Sequence, residues 1–114
     1  DEWDLPGGRI LPEEFEADFV EVIKRKMREE LGIEIQYEIG EPKVFFRVGR
    51  IEVDRQKARI FAIGYEAQYL GGEIKLGDHH DRMEWVDIKT FDPKKYFIGG
   101  WLKGVEEYIA KVRV

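Results

Sequence analysis

One segment constrains this chain more than any other. From about Ala17 to Leu31 the apolar residues Val20, Ile23, Met27 and Leu31 recur at i, i+3, i+7 and i+11, which lines them along one side of an α-helix. Gly32 follows as a natural C-terminal stop. Ahead of the stripe, Pro6-Gly7-Gly8 has the punctuation of a tight loop. Pro12-Glu13-Glu14 then supplies a proline suited to a first helical turn and acids suited to the positive helix end, so a helix is expected to begin near here. Such a helix must bury its stripe, and the residues that follow offer a sheet. Ile33–Ile39, Val44–Val48 and Arg59–Tyr69 are short β-rich runs, and Asp54-Arg55-Gln56-Lys57 reads as a hairpin connection between the last two, which should pair antiparallel. Gly71-Gly72 marks another turn, Gly77-Asp78-His79-His80-Asp81 a polar loop, and Met83–Val86 alternates like a further short strand. Leu102, Val105, Ile109 and Val112 return to helical spacing. The order helix, strands, helix predicts an α/β fold with its sheet covered on two faces.

At 114 residues the chain suits a single domain. Its composition narrows the chemistry further. There is no Cys, Ser or Asn and a single Thr, Thr90, which removes serine and cysteine nucleophiles, disulfides and cysteine zinc sites together. Chemistry must come from Asp, Glu, His, Lys, Tyr or a bound metal. The shortage of thermolabile residues beside abundant Glu, Lys and Arg matches the lean of hyperthermophile proteins. A net charge of −5 repels nucleic-acid backbones, so no nucleic-acid partner is expected. No apolar run is long enough to span a bilayer and no signal segment opens the chain, so a cytoplasmic protein with no membrane partner is expected.

Glu29 and Glu30 stand at the end of the predicted helix, and adjacent carboxylates there could chelate a hard divalent cation such as Mg²⁺ or Mn²⁺. Taken alone, the two glutamates are better read as a solvated acidic turn, with Glu21 pairing Arg25 and Lys26 pairing Glu30. At about 100° per residue, Lys26 projects between the two glutamates on the flank of the apolar stripe. Elsewhere, Phe45, Phe46, Tyr65 and Tyr69 lie on the hairpin strands, where one face could stack a nucleobase or simply form core. Arg9, Arg47 and Arg50 could pair with phosphates or guard strand edges against aggregation.

Gly8, then five residues, then Glu14, then a helix ending Arg25-Lys26-Met27-Arg28-Glu29-Glu30-Leu31-Gly32-Ile33, resembles the box of the Nudix hydrolase family, G-x5-E-x7-R-E-U-x-E-E-x-G-U with U a bulky aliphatic residue. Trp3-Asp4-Leu5-Pro6 before it and Glu84-Trp85-Val86 after it are similar to the family's flanking sequence, so the resemblance spans Trp3 to Val86. It implies an α/β/α sandwich with a mixed sheet between the box helix and the C-terminal helix. It also implies metal-dependent hydrolysis of a nucleoside diphosphate linked to another moiety, with a small-molecule nucleotide substrate. Carried over residue by residue, Gly7 through its carbonyl, Glu29 and Glu30 would hold Mg²⁺ or Mn²⁺, and Glu14 and Arg25 would brace loop against helix. Glu29 and Glu30 would carry catalysis, Asp78 would be a further metal ligand and His79 a base, in a loop that is otherwise a polar surface turn. Substrate contacts would fall to Arg9 and Phe46.

Two departures shape this expectation. Ten residues separate Glu14 from Arg25 where the family has seven, so Glu13, Glu14 and Glu16 compete for one role. Lys26 takes the place of the glutamate that follows the arginine, which should lower Mg²⁺ affinity and raises the alternative of a catalytically degenerate module that binds a nucleotide or a protein partner. The box also begins where family members already have a strand, so a missing N-terminal strand is expected, with an exposed sheet edge that invites a homodimer.

Overall fold

The computed structural model describes residues 3–8, 10–51, 57–78 and 80–112. Its element order is a 3-10 turn at Pro12–Glu14, helix α1 at Phe19–Leu31, strands β1 at Gln36–Ile51 and β2 at Lys57–Gly71, a second 3-10 turn at Pro93–Lys95 and helix α2 at Gly99–Val112. The fold class is mixed α/β, with β1 and β2 forming a two-stranded antiparallel sheet. Two strands expected from the sequence, Ile33–Ile39 and Val44–Val48, are one: β1 runs straight through Gly40-Glu41-Pro42. A proline breaks a central strand because it cannot donate, but each strand of a two-stranded ribbon has an open edge toward which that position can turn. Met83–Val86 is not a strand. Alternation alone gives it no ladder partner among the described residues, and its Trp85 is instead held by the ring of Tyr69, 5.1 Å away. The expected hairpin connection, Asp54-Arg55-Gln56-Lys57, lies outside the described residues apart from Lys57, which opens β2.

The chain divides into two units. The first comprises Asp1–Asp4, Gly40–Glu66 and Val86–Val114. Here one side of the ribbon meets α2, whose apolar positions fall as the spacing predicted, with Ile109 buried. Contact is close because α2 presents glycines there. A Cβ on Gly104 would sit 2.8 Å from Phe46 Cγ, and one on Gly100 would overlap the Arg47 carbonyl oxygen. Phe46 is tilted against Trp101 at 5.4 Å, so its ring is engaged in packing. Tyr108 Oη donates to Glu66 Oε2 at 2.7 Å. Burial, joined by that bond to a carboxylate, pushes the phenol up to about 12. Phe45 and Phe61 stack at 6.0 Å, and both remain more than half exposed. Trp3, Phe91, Tyr96 and Phe97 form an aromatic cluster, with Trp3 edge-on to Tyr96 at 5.2 Å.

The second unit comprises Leu5–Ile39 and Ala67–Trp85 and contains α1. The helix starts at Phe19, with Asp18 as its extended N-cap residue, and closes at Gly32, whose φ of 94° is a conformation that disfavours any side chain. Its buried residue is Val22, outside the expected stripe, whereas Val20 is exposed. Positions 22, 26 and 30 share that inward line at i, i+4 and i+8, so Lys26 and Glu30 are carried partly under cover, their side chains 21% and 14% exposed.

Candidate functional site

The site is built where the loop at Gly7 and Gly8 meets the last two turns of α1. Carboxylates at Glu29 and Glu30 stand at the negative end of the helix dipole and repel one another, so they require compensating donors. Arg25 supplies the first. Its Nε and Nη2 donate to Glu14 Oε2 and Oε1 at 2.6 and 2.9 Å, a two-pronged contact that ties the 3-10 turn to the helix. Its Nη1 reaches Glu29 Oε1 at 3.0 Å. Glu14 Oε1 also accepts the Leu11 N–H at 2.9 Å. The Arg25 guanidinium holds the carboxyls of both Glu14 and Glu29 below their ordinary value, and Arg25 is itself raised by Glu14.

Of the three acids that compete by spacing, Glu14 is therefore the one that braces Arg25. Between Glu14 and the N-cap residue Asp18 the chain turns at residues 15–17, and α1 then runs unbroken from Phe19 to Leu31. The expected Glu21–Arg25 pair does not form. Arg25 is committed to Glu14 and Glu29, and Glu21 lies 3.9 Å from Lys24 instead. The Arg25–Glu29 contact was itself legible as an i,i+4 pair.

Lys26 supplies the second set of contacts, and it projects between the two glutamates as its helical angle predicted. Its Nζ lies 3.4 Å from Glu29 Oε2 and 3.4 Å from Glu30 Oε2. Both carboxylates thus converge on one point of positive charge. The other oxygen of Glu30 accepts the Gly7 N–H at 3.1 Å, so Gly7 reaches the site through its amide. Gly8 forms the floor: a Cβ there would overlap Lys26 Cε and lie 2.8 Å from Nζ. No sequence signal pointed to this seat, because it depends on how closely the loop approaches the helix.

The loop carrying Asp78 also comes to this end of α1, since the Gly77 N–H donates to the Glu30 carbonyl at 3.1 Å and the His80 N–H to the Gly77 carbonyl at 3.2 Å. It arrives at the helix carbonyls, and Asp78 is exposed. Among the described residues no three acidic, cysteine or histidine side chains gather at metal-holding distance. Arg9 and His79 lie outside the described residues. Phe46 belongs to the other unit, on the side of the ribbon that meets α2. An open cavity of about 650 Å³ in the α1 unit is lined by residues that include Val20, Lys24, Ile35, Tyr37 and Leu70, and among the described residues none of the expected site residues lines it. Among the described residues no helix is long and apolar enough to cross a membrane.

The ammonium of Lys26 marks the point at which a cation meets both carboxylates. Two hard oxygens, Glu29 Oε2 and Glu30 Oε2, already face a single cationic centre, which is the donor type that Mg²⁺ and Mn²⁺ prefer. Comparison with known proteins adds no further constraint: no family model matches the chain, and no curated protein or solved structure shows significant similarity to it.

Proposed function

We propose that this chain is a Nudix-type domain that hydrolyses the pyrophosphate bond of a nucleoside diphosphate linked to another moiety. One observation carries the reading: the loop–helix clasp, in which Glu14 is bound through both oxygens by Arg25 and the Gly7 N–H is bound to Glu30, turns the Glu29 and Glu30 carboxylates toward a common cation position. The box resemblance implies that same brace and that same carboxylate pair. On this reading the ribbon and its two helices are parts of an α/β/α sandwich.

Glu29 and Glu30 would hold Mg²⁺ or Mn²⁺, which when bound supplies Lewis-acid polarisation of a phosphoanhydride and an activated water. The remaining work belongs to the chain. Arg25 fixes the rotamer of Glu29 by pairing with it from one turn back. The Gly7 amide fixes Glu30 and holds the loop at a set distance from the helix. Glu14 keeps Arg25 from being drawn wholly onto the carboxylate pair.

A second reading, a catalytically silent module that binds a nucleotide or a protein partner, is favoured by the Lys26 ammonium lying 3.4 Å from each carboxylate. Product release decides between them. The chain is assayed with Mg²⁺ or Mn²⁺, at elevated temperature, against ADP-ribose, nucleoside triphosphates, dinucleoside polyphosphates and nucleotide sugars. Metal-dependent turnover of one class, lost in Glu30→Gln, is the expected result; a folded sample that turns over none of them favours the silent module.

A further inference from the structure

Lys26 does more in this structure than replace a glutamate. Its side chain crosses the face of Gly8 with no room for a Cβ between them, and its ammonium ends midway between two carboxylates. An ammonium on that seat and a divalent cation between the same two oxygens would be separated by less than the sum of their coordination shells, and like charges at that range exclude each other. We propose that Lys26 is a tethered counter-ion that sets the divalent-cation affinity of the Glu29–Glu30 pair, so that binding the ion requires the lysine to leave its seat over Gly8. The inference deepens the hydrolase reading and rests on it for the identity of the ion.

The seat has two separable parts. The charge comes from Lys26, and the room comes from the missing side chain of Gly8. Gly8 has no positive φ, so alanine there meets no backbone penalty, and the atoms it would displace are the far end of a flexible side chain rather than main chain. Removing the charge and removing the room should therefore act alike on metal affinity, although one variant lies on the helix and the other on the loop. An ammonium that ties up the site reduces the apparent affinity by the fraction of molecules in which the site is open. With two partly exposed ion pairs to break, that reduction is about tenfold.

The test is Mn²⁺ binding to the whole chain in the absence of substrate, measured by calorimetry for the wild type, Lys26→Met, Gly8→Ala and Lys24→Met. Folding of each variant is checked by circular dichroism. The expected result is that Lys26→Met binds Mn²⁺ about tenfold more tightly, that Gly8→Ala moves in the same direction, and that Lys24→Met, a lysine on the same helix outside the seat, binds as the wild type does. Saturating Mn²⁺ should also raise the labelling of Lys26 by an amine-reactive reagent, because the ammonium is released. Should Lys26→Met fail to fold, Gly8→Ala and the labelling carry the test. If the wild type and both variants bind equally and Glu30→Gln abolishes binding, the gate is refuted and the metal site stands. If none binds Mn²⁺, the gate and the hydrolase reading fall together.

Discussion

Gly104→Ala probes how closely α2 lies on the ribbon. The added methyl would stand 2.8, 2.9 and 3.2 Å from three ring carbons of Phe46. That ring cannot retreat freely, because Trp101 backs it at 5.4 Å. Alanine gains about 1 kcal/mol over glycine in a helix interior. Overpacking of this kind costs about 1–3 kcal/mol, so the net loss is about 1 kcal/mol. For a chain of this length that is a fall in Tm of about 4 °C. Thermal unfolding followed by circular dichroism reads it directly. Two companions sharpen the reading. Gly49→Ala, where a Cβ would meet nothing within 4 Å, should stay within about 0.5 kcal/mol of the wild type. Combining Gly104→Ala with Phe46→Leu should recover about 1 kcal/mol relative to the sum of the single changes, since the smaller side chain vacates the overlap. A Tm for Gly104→Ala at or above the wild type, with no coupling to position 46, would refute the close approach.

Two further outcomes follow from charge. Because Arg25 holds the Glu14 and Glu29 carboxyls below the ordinary carboxylate range, their ionised forms stabilise the folded state above that range, and the stabilisation is lost as pH falls through the lowered values. The Tm gap between the wild type and Arg25→Met should therefore be widest near neutrality and close below about pH 4; a gap that stays constant down to pH 3 would contradict the brace. Tyr108, pushed up to about 12, keeps its proton in the folded protein after an unfolded tyrosine has lost it. Its contribution to stability is thus complete below about pH 10 and lost as pH rises toward 12. Ultraviolet titration should show one phenol ionising last, and Tyr108→Phe should remove that step.

What the sequence revealed was whatever depends on near neighbours. Both helices were legible because apolar spacing and Gly32 are local signals, although the proline and acids at 12–14, read as a helix start, wind a separate 3-10 turn and α1 begins only at Phe19. The placement of Lys26 between Glu29 and Glu30 followed from rotation per residue alone. Which acid would reach Arg25 did not, because Glu13, Glu14 and Glu16 differ only in how the turn is wound. That Ile33–Ile39 and Val44–Val48 belong to one strand was not legible, since the meaning of the intervening Gly40 and Pro42 changes with whether the strand is central or at an edge. Gly100 and Gly104, four apart on one helix face, carried a readable sign of close packing, but what they pack against is set by tertiary structure. The seat over Gly8 was hidden for the same reason.

The turn at residues 15–17 has a consequence for how this chain can vary. It lies between two ends fixed by the Glu14–Arg25 contact, and its Phe15 is 81% exposed. Length added there changes neither anchor. Loop-closure entropy grows slowly, by about 0.6 kcal/mol for each doubling of a flexible loop, so added length there weighs little. This is a position at which an inserted peptide tag or reporter sequence would leave the clasp unchanged.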